Sequence, residues 1–208
     1  MTSKYRFFIP YNPFGEPEGF FFAMTQEKQI LFERDELVRT VNRMAHEITE
    51  QTATPSELVL IGIRSRGVHL ARRLARKVEE VTKTAPPVGV IDVTPYRDDR
   101  AREQDPRAVG AFEIPVDVDE KTVVLIDDVI FRGRTIRAAM EAVARLGQAK
   151  RIWVAALVDR GARELPIRAD IVGKNIDPGE GRRVNVMLEE SDGVDQITVT
   201  DWQGRRAV

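Results

Sequence analysis

The spacing of apolar positions changes several times along the chain, and each change marks an element. In RDELVRTVNRMAHEITEQ, Leu37, Val41, Met44 and Ile48 recur at the spacing of one helical face, with Asp35 as the expected N-cap. Pro55 interrupts this pattern, and ELVLIGI (57–63) follows as an unbroken apolar run, the mark of a strand buried on both faces. After the turn RSRG, Ala71, Leu74, Ala75 and Val78 return to helical spacing. Beyond Pro86 and Pro87, VGVIDVTPY predicts a strand, and KTVVLID predicts another. Ile136, Ala139, Met140, Val143 and Leu146 predict a helix stopped by Gly147, and RIWVAALVD a further strand. Near the end, RRVNVMLEE and QITVTDW alternate with period two around SDGVD, which predicts a β-hairpin with an Asp-Gly turn.

Strands that alternate with helices imply an α/β domain with a mostly parallel sheet covered on both faces. Ligands of such sheets sit beyond the carboxyl ends of the strands. The loops RSRG, DDVIFRGRT and DRGARELPIR all follow strands, so they are expected to converge on one edge. Two segments stand apart. Residues 1–23 are rich in Phe, Pro and Gly without periodicity, so the chain divides into an N-terminal extension, 1–23, and one domain, 24–208. RDDRAREQDPRAV (97–109) is charged and poor in apolar residues, and is longer than most connections; it is a candidate lid.

Composition narrows the possibilities. At 208 residues, 42% hydrophobic and 31% charged, the chain is that of a globular domain able to bury its own core. It contains no cysteine, which excludes disulfides and thiolate chemistry and points to a reducing cytoplasm. His46 and His69 are the only histidines, which argues against a multi-histidine metal site. The formal net charge of −1 gives no global field for nucleic acid, so any RNA site must be a local basic patch. No apolar run approaches the roughly 20 residues of a membrane span. Pro10, Pro13 and Pro17 break the aromatic N-terminus and exclude a secretory signal there.

The chemistry concentrates in VVLIDDVIFRGRT (123–135). Two carboxylates, Asp127 and Asp128, end the strand; a turn with Gly133 follows, then the hydroxyl of Thr135 at a helix start. A turn running into a helix offers unpaired N–H groups and a positive dipole end, which together bind phosphate. Carboxylates beside it suit ribose hydroxyls and water around Mg²⁺. The combination describes a ribose 5-phosphate site. It is not a Walker loop, because no Gly-Lys-Ser/Thr follows the strand. A bare Asp-Asp pair would more often be a solvated corner; here acids, glycine, hydroxyl and helix start occur in order.

VVLIDDVIFRGRT resembles the phosphoribosyl-pyrophosphate (PRPP) motif of type I phosphoribosyltransferases. With RMAHEI, GIRSRG, TPYRDD and LVDRGARELPIRADIVGKN, the chain from about Met24 onward resembles the PyrR family. That family consists of pyrimidine regulators that bind an mRNA leader and act as uracil phosphoribosyltransferases. The resemblance implies a type I phosphoribosyltransferase fold in a homo-oligomer, a dimer or higher. It places Ser65 and Arg66 in the pyrophosphate loop, and Tyr96 and Arg97 at the start of a catalytic lid. It gives Asp127 and Asp128 the ribose hydroxyls, and the turn Arg132, Gly133, Arg134 and Thr135 the 5′-phosphate. Val158, Asp159 and Arg160 fall where uracil is received, with Val184 at the pocket's edge. The implied reaction is uracil plus PRPP giving UMP plus diphosphate, with Mg²⁺ carried on the diphosphate and no protein-only metal site. UMP and UTP are the implied effectors, and Asn42, Arg43, His46, Arg163, Arg168 and Lys174 the RNA-facing set.

The chain departs from the family pattern at particular places. Arg132 stands where Thr or Ser is usual; its side chain could pair with the phosphate, point outward or crowd the turn. Pro95 precedes Tyr96, Ala162 replaces a His, and DPGEGR (177–182) replaces a hydroxyl-rich stretch. Two rival readings follow: a salvage enzyme without RNA binding, and a nucleotide-sensing RNA-binding regulator without turnover.

Overall fold

The computed structural model describes residues 28–93 and 112–202. The N-terminal extension, Tyr96, Arg97 and the rest of the expected lid lie outside the described residues.

The central sheet has six strands in the order β4-β3-β2-β5-β6-β7. β2 (Leu58–Ile63), β3 (Val88–Ile91), β5 (Thr122–Ile130), β6 (Arg151–Asp159) and β7 (Ile171–Asn175) run parallel, and β4 (Phe112–Glu113) is an antiparallel edge. Period-two alternation explains why the inner strands read as continuous apolar runs. Leu58, Leu60, Val124, Ile126, Ala155 and Leu157 pack towards α1 (Arg34–Gln51) and α2 (Arg66–Thr82). Their neighbours Val59, Ile61, Val123, Leu125, Val154 and Ala156 pack towards α3 (Arg134–Leu146). All twelve are buried. Truncating one of the larger of them, as in Ile126→Ala, would cost about 2–5 kcal/mol.

A second sheet, in the order β1-β9-β8, is antiparallel. It comprises β1 (Gln29–Glu33), β8 (Arg182–Met187) and β9 (Gln196–Asp201). Val184, Val186, Ile197 and Val199 join the core beneath α1 and α2. The predicted hairpin is present, from Arg182↔Asp201 to Met187↔Gln196. Its connection differs from the expected Asp-Gly turn: a single helical turn, α4 (Glu189–Asp192), ends at Gly193 with φ +71°. The carboxylates of Asp192 and Asp195 accept the amides of Leu188 and Glu189, winding the loop into a helical turn.

α1 begins one residue before the expected cap. Glu33 holds the N-cap position without a side-chain bond, and Asp35 lies in the first turn with Glu36, where the helix dipole favours carboxylates. Gly67 lets α2 approach β5: a Cβ there would overlap the Ile126 carbonyl oxygen. That contact brings the start of α2 beside Asp127.

Candidate active site

A cavity of about 410 Å³ opens at the carboxyl ends of β2 and β5. The β2–α2 loop contributes Arg64, Ser65 and Arg66, and β5 contributes Asp127 and Asp128. The turn to α3 adds Arg132, Gly133, Arg134 and Thr135, and Arg160 follows β6. Two of the three expected loops therefore meet, RSRG through its first three residues and DDVIFRGRT along its whole length, and the third meets them through Arg160.

Asp127 is buried, and its Oδ1 accepts the Asp128 amide at 2.9 Å. Asp128 is half-buried and accepts the Val129 amide at 3.0 Å. Gly133 has φ +91°, in the left-handed region that favours glycine, and α3 starts at the next residue. The first amides of a helix lack internal acceptors, so strand-end acids and anion donors face one cavity.

The turn is braced from behind. The amides of Glu164 and Leu165 donate to the Arg132 carbonyl at 3.1 and 3.2 Å. Arg163 donates to the Phe131, Gly161 and Ile167 carbonyls at 2.7, 3.1 and 2.9 Å, and to Asp159 at 2.6 Å. Of the three orientations open to Arg132, the structure shows a fourth arrangement of charge. Arg132 pairs with Glu164 at 3.1 Å while its guanidinium lies 5.2 Å from the Phe131 ring centroid. Arg134 meets the same carboxylate at 2.8 Å.

Arg66 forms a two-pronged pair with Asp192 of α4, at 3.1 and 2.7 Å. Its bonds hold the Asp192 carboxyl well below the usual carboxylate range, and Asp192 in turn raises the Arg66 guanidinium. Further along α2, Arg73 pairs with Glu190 and with buried Asp195, and is raised chiefly by the Glu190 bonds. Two arginines thus fasten the small sheet's connection to α2. Arg160 lies over the Phe131 ring at 4.1 Å and donates to the Arg182 carbonyl at 2.7 Å. Burial lowers its guanidinium pKa, and the charge of Arg132 adds to that.

Other expected site residues lie elsewhere. Val158 and Val184 are buried in the core under α1 and α2 and do not line the cavity. Arg97 lies outside the described residues. Phe131, Gly181, Arg183 and Trp202 line the cavity without having been expected to. For Trp202 the available signal was an aromatic directly after an alternating strand.

The basic set is dispersed. Arg43 donates to the Val172 and Gly173 carbonyls, both at 2.7 Å. Lys174 pairs with Glu36 at 2.6 Å and lies 4.5 Å from the Phe32 ring centroid. Asn42 and His46 border a hollow between α1 and α2. Arg163 faces inward on the braces already described, whereas Arg168 and His46 are exposed. Glu164 is engaged by Arg132 and Arg134, and Asp170 accepts the Val154 amide.

Among the described residues, no group of three or more His, Asp or Glu side chains is placed to hold a metal ion. No helix among them is long and apolar enough to cross a membrane.

Residues 29–186 match the phosphoribosyl transferase domain family. A relative named "Bifunctional protein PyrR" from Chloroflexus aurantiacus is 51% identical over 177 residues, 85% of this chain and 96% of that protein. One of the same name from Streptomyces coelicolor is 49% identical, covering 83% of this chain and 89% of that protein. The hypoxanthine phosphoribosyltransferase of Trypanosoma cruzi superposes with a TM-score of 0.64 at 16% identity, over 84% of this chain and 97% of the other. That of Staphylococcus aureus gives 0.61 at 17% identity, over 86% and 94%.

Proposed function

The chain belongs to the PyrR family of phosphoribosyltransferases, and from that premise we propose that it converts uracil and PRPP into UMP and diphosphate. We propose that it also regulates pyrimidine genes, binding an mRNA leader under the control of UMP or UTP. One observation carries the catalytic reading: the acids ending β5 and the glycine turn into α3 line a single cavity.

The C1–oxygen bond of PRPP breaks and its electron pair leaves with diphosphate. Uracil N1 forms the new bond to C1 and loses its proton. Positive charge develops on the ribose ring, so the protein's task is positioning and electrostatic stabilisation rather than nucleophilic attack. Asp127 and Asp128 hold the ribose hydroxyls and lie near the developing charge. The amides of the turn, with Thr135, hold the 5′-phosphate. Ser65 and Arg66 receive diphosphate, and Arg97 closes over it and excludes water. Arg160 bounds the base.

The donor set suits Mg²⁺. Two carboxylates line the cavity without a larger cluster among the described residues, which fits an ion held chiefly by phosphate oxygens and water. When bound, Mg²⁺ neutralises charge on the leaving diphosphate.

For RNA, Arg43, His46 and Arg168 are the exposed members of the basic set. Arg43 ties α1 to β7 and Lys174 pairs with Glu36, whereas Arg163 braces the turn. The test pairs two assays. Pyrophosphate release from PRPP with Mg²⁺ should require uracil; PRPP consumed without a base requirement, or not at all, overturns the enzyme reading. Arg168→Ala should flatten the salt dependence of leader-RNA binding by about one unit of slope, and an unchanged slope removes Arg168 from the interface. The pairing of Arg132 with Glu164 favours turnover over the regulator-only reading, because it draws the guanidinium towards a protein carboxylate.

A further inference from the structure

We infer that Glu164 is a specificity-determining counter-ion of the phosphate turn, holding Arg132 and Arg134 so that the turn grips a 5′-phosphate less tightly than its two cations would allow. The inference rests on the reading of this cavity as a PRPP and UMP site.

Gly133 has no side chain, so the groups flanking it set the charge of the turn. Both flanking residues are arginines, and both line the cavity. A guanidinium within reach of a phosphate forms short, charge-assisted bonds, often two at once. Two of them beside backbone amides would make a very tight phosphate site. A tight site suits a sensor but hinders an enzyme that must release a phosphorylated product, because binding PRPP and UMP equally well gains nothing in the chemical step.

The structure directs both cations to one carboxylate. Arg132 Nε lies 3.1 Å from Glu164 Oε1, and Arg134 Nε donates to Oε2 at 2.8 Å. Each guanidinium takes a different oxygen of the same group. Glu164 is itself fixed to the turn, since its amide donates to the Arg132 carbonyl at 3.1 Å. The neighbouring Arg163 anchors its backbone to the Phe131, Gly161 and Ile167 carbonyls. The backbone that carries the carboxylate is therefore tied to the turn.

The pairs are also breakable. The side chains of Arg132, Arg134 and Glu164 are 43%, 48% and 40% exposed, so water screens the attraction. A doubly charged phosphate monoester competes with a screened carboxylate, and Glu164 sets how strongly. This accounts for an arginine at a position where the family resemblance expects Thr or Ser: the turn keeps its amides for the anion while Glu164 occupies the added charge.

The test uses the full chain as wild type, Glu164→Gln, Arg132→Thr and the double variant. UMP and uridine affinities are measured by calorimetry, and KM for PRPP with kcat by pyrophosphate release. Glutamine keeps the shape and removes the charge. Glu164→Gln should bind UMP about tenfold tighter, the scale of one added charge-assisted bond, with uridine affinity unchanged. KM for PRPP and kcat should fall together as product release slows. In the Arg132→Thr background the gain should shrink, because only Arg134 remains to be freed. UMP affinity that is unchanged or weaker in Glu164→Gln, while wild type still prefers UMP to uridine, overturns the inference and leaves Glu164 as a brace. Wild type that binds UMP no better than uridine overturns the PRPP reading, and the inference with it.

Discussion

The cavity has two sides built in different ways. The proposed phosphate side comes from one contiguous stretch, Asp127 to Thr135, whose strand, turn and helix start place every group by local geometry. The side towards the small sheet is assembled from Arg160, Gly181, Arg183 and Trp202, and is held by contacts spanning more than a hundred residues, such as Arg66 with Asp192 and Arg73 with Asp195. A local motif needs only its own sequence to be recognised. A wall assembled across the fold is defined by pairings that no short window contains. The two sides should therefore fail differently: the first by losing chemistry with the fold intact, the second by losing alignment.

The largest effect is expected on the contiguous side. Asp128 is half-buried and its Oδ1 accepts the amide of its own neighbour, Val129, so it lies outside the apolar core. Asp128→Ala should lower turnover by about 10²–10³-fold, as removal of a preorganised electrostatic partner does, while the thermal transition stays in place. Undiminished pyrophosphate release would remove Asp128 from the site and erase the contrast.

An intermediate effect is expected at the join between the sides. Asp192→Asn removes the charge that orients Arg66, and KM for PRPP should rise by about threefold to tenfold, as expected when a screened but two-pronged pair is lost. The pH dependence has a definite sign. Arg66, then the Leu188 amide and Ser191, hold the Asp192 carboxyl below its ordinary value. Its contribution to stability is thus fully present above the ordinary aspartate pKa near 4 and is lost only as pH falls further, towards the depressed native value. The difference in melting temperature between wild type and Asp192→Asn should be constant from about pH 8 to 5 and close in stronger acid. A gap that closes near neutrality would show that another group carries the coupling.

The same division explains what could be read from the chain. The parallel sheet was legible because β2, β5 and β6 are apolar on both faces, and α2 and α3 because their spacing is regular. β1, β4 and β7 were not legible. They are short, and β1 exists because the free edge of β9 pairs with it despite a bulge between Ile30 and Phe32. Asp127, Asp128 and Gly133 could be singled out in sequence because their neighbours are part of the signal, and the fold brings them to one cavity. Arg163 was assigned outward on resemblance alone, whereas its guanidinium lies against carbonyls of residues that β-strand and turn geometry bring together. Arg132 showed itself only as an anomaly. The carboxylate that explains its orientation, Glu164, comes from the loop after the next strand.

The smallest effect separates the base from the phosphate. Trp202 is 49% exposed and lines the cavity, and its amide donates to the Gly181 carbonyl at 2.6 Å. Arg183 lies over its ring at 5.2 Å, so indole and guanidinium form one planar-faced wall. A cation–π contact at an exposed position is worth about 0.5–1 kcal/mol, and the ring supports little else. If this wall borders the base, Trp202→Ala should raise KM for uracil by about twofold to fivefold and leave KM for PRPP unchanged. On the proposed reading phosphate and diphosphate are held from β2, β5 and their turns, so the two constants should separate if the base meets the small sheet. Equal rises in both would mean that the small sheet acts on the whole cavity through Arg66 and Asp192, and that the two sides are one unit.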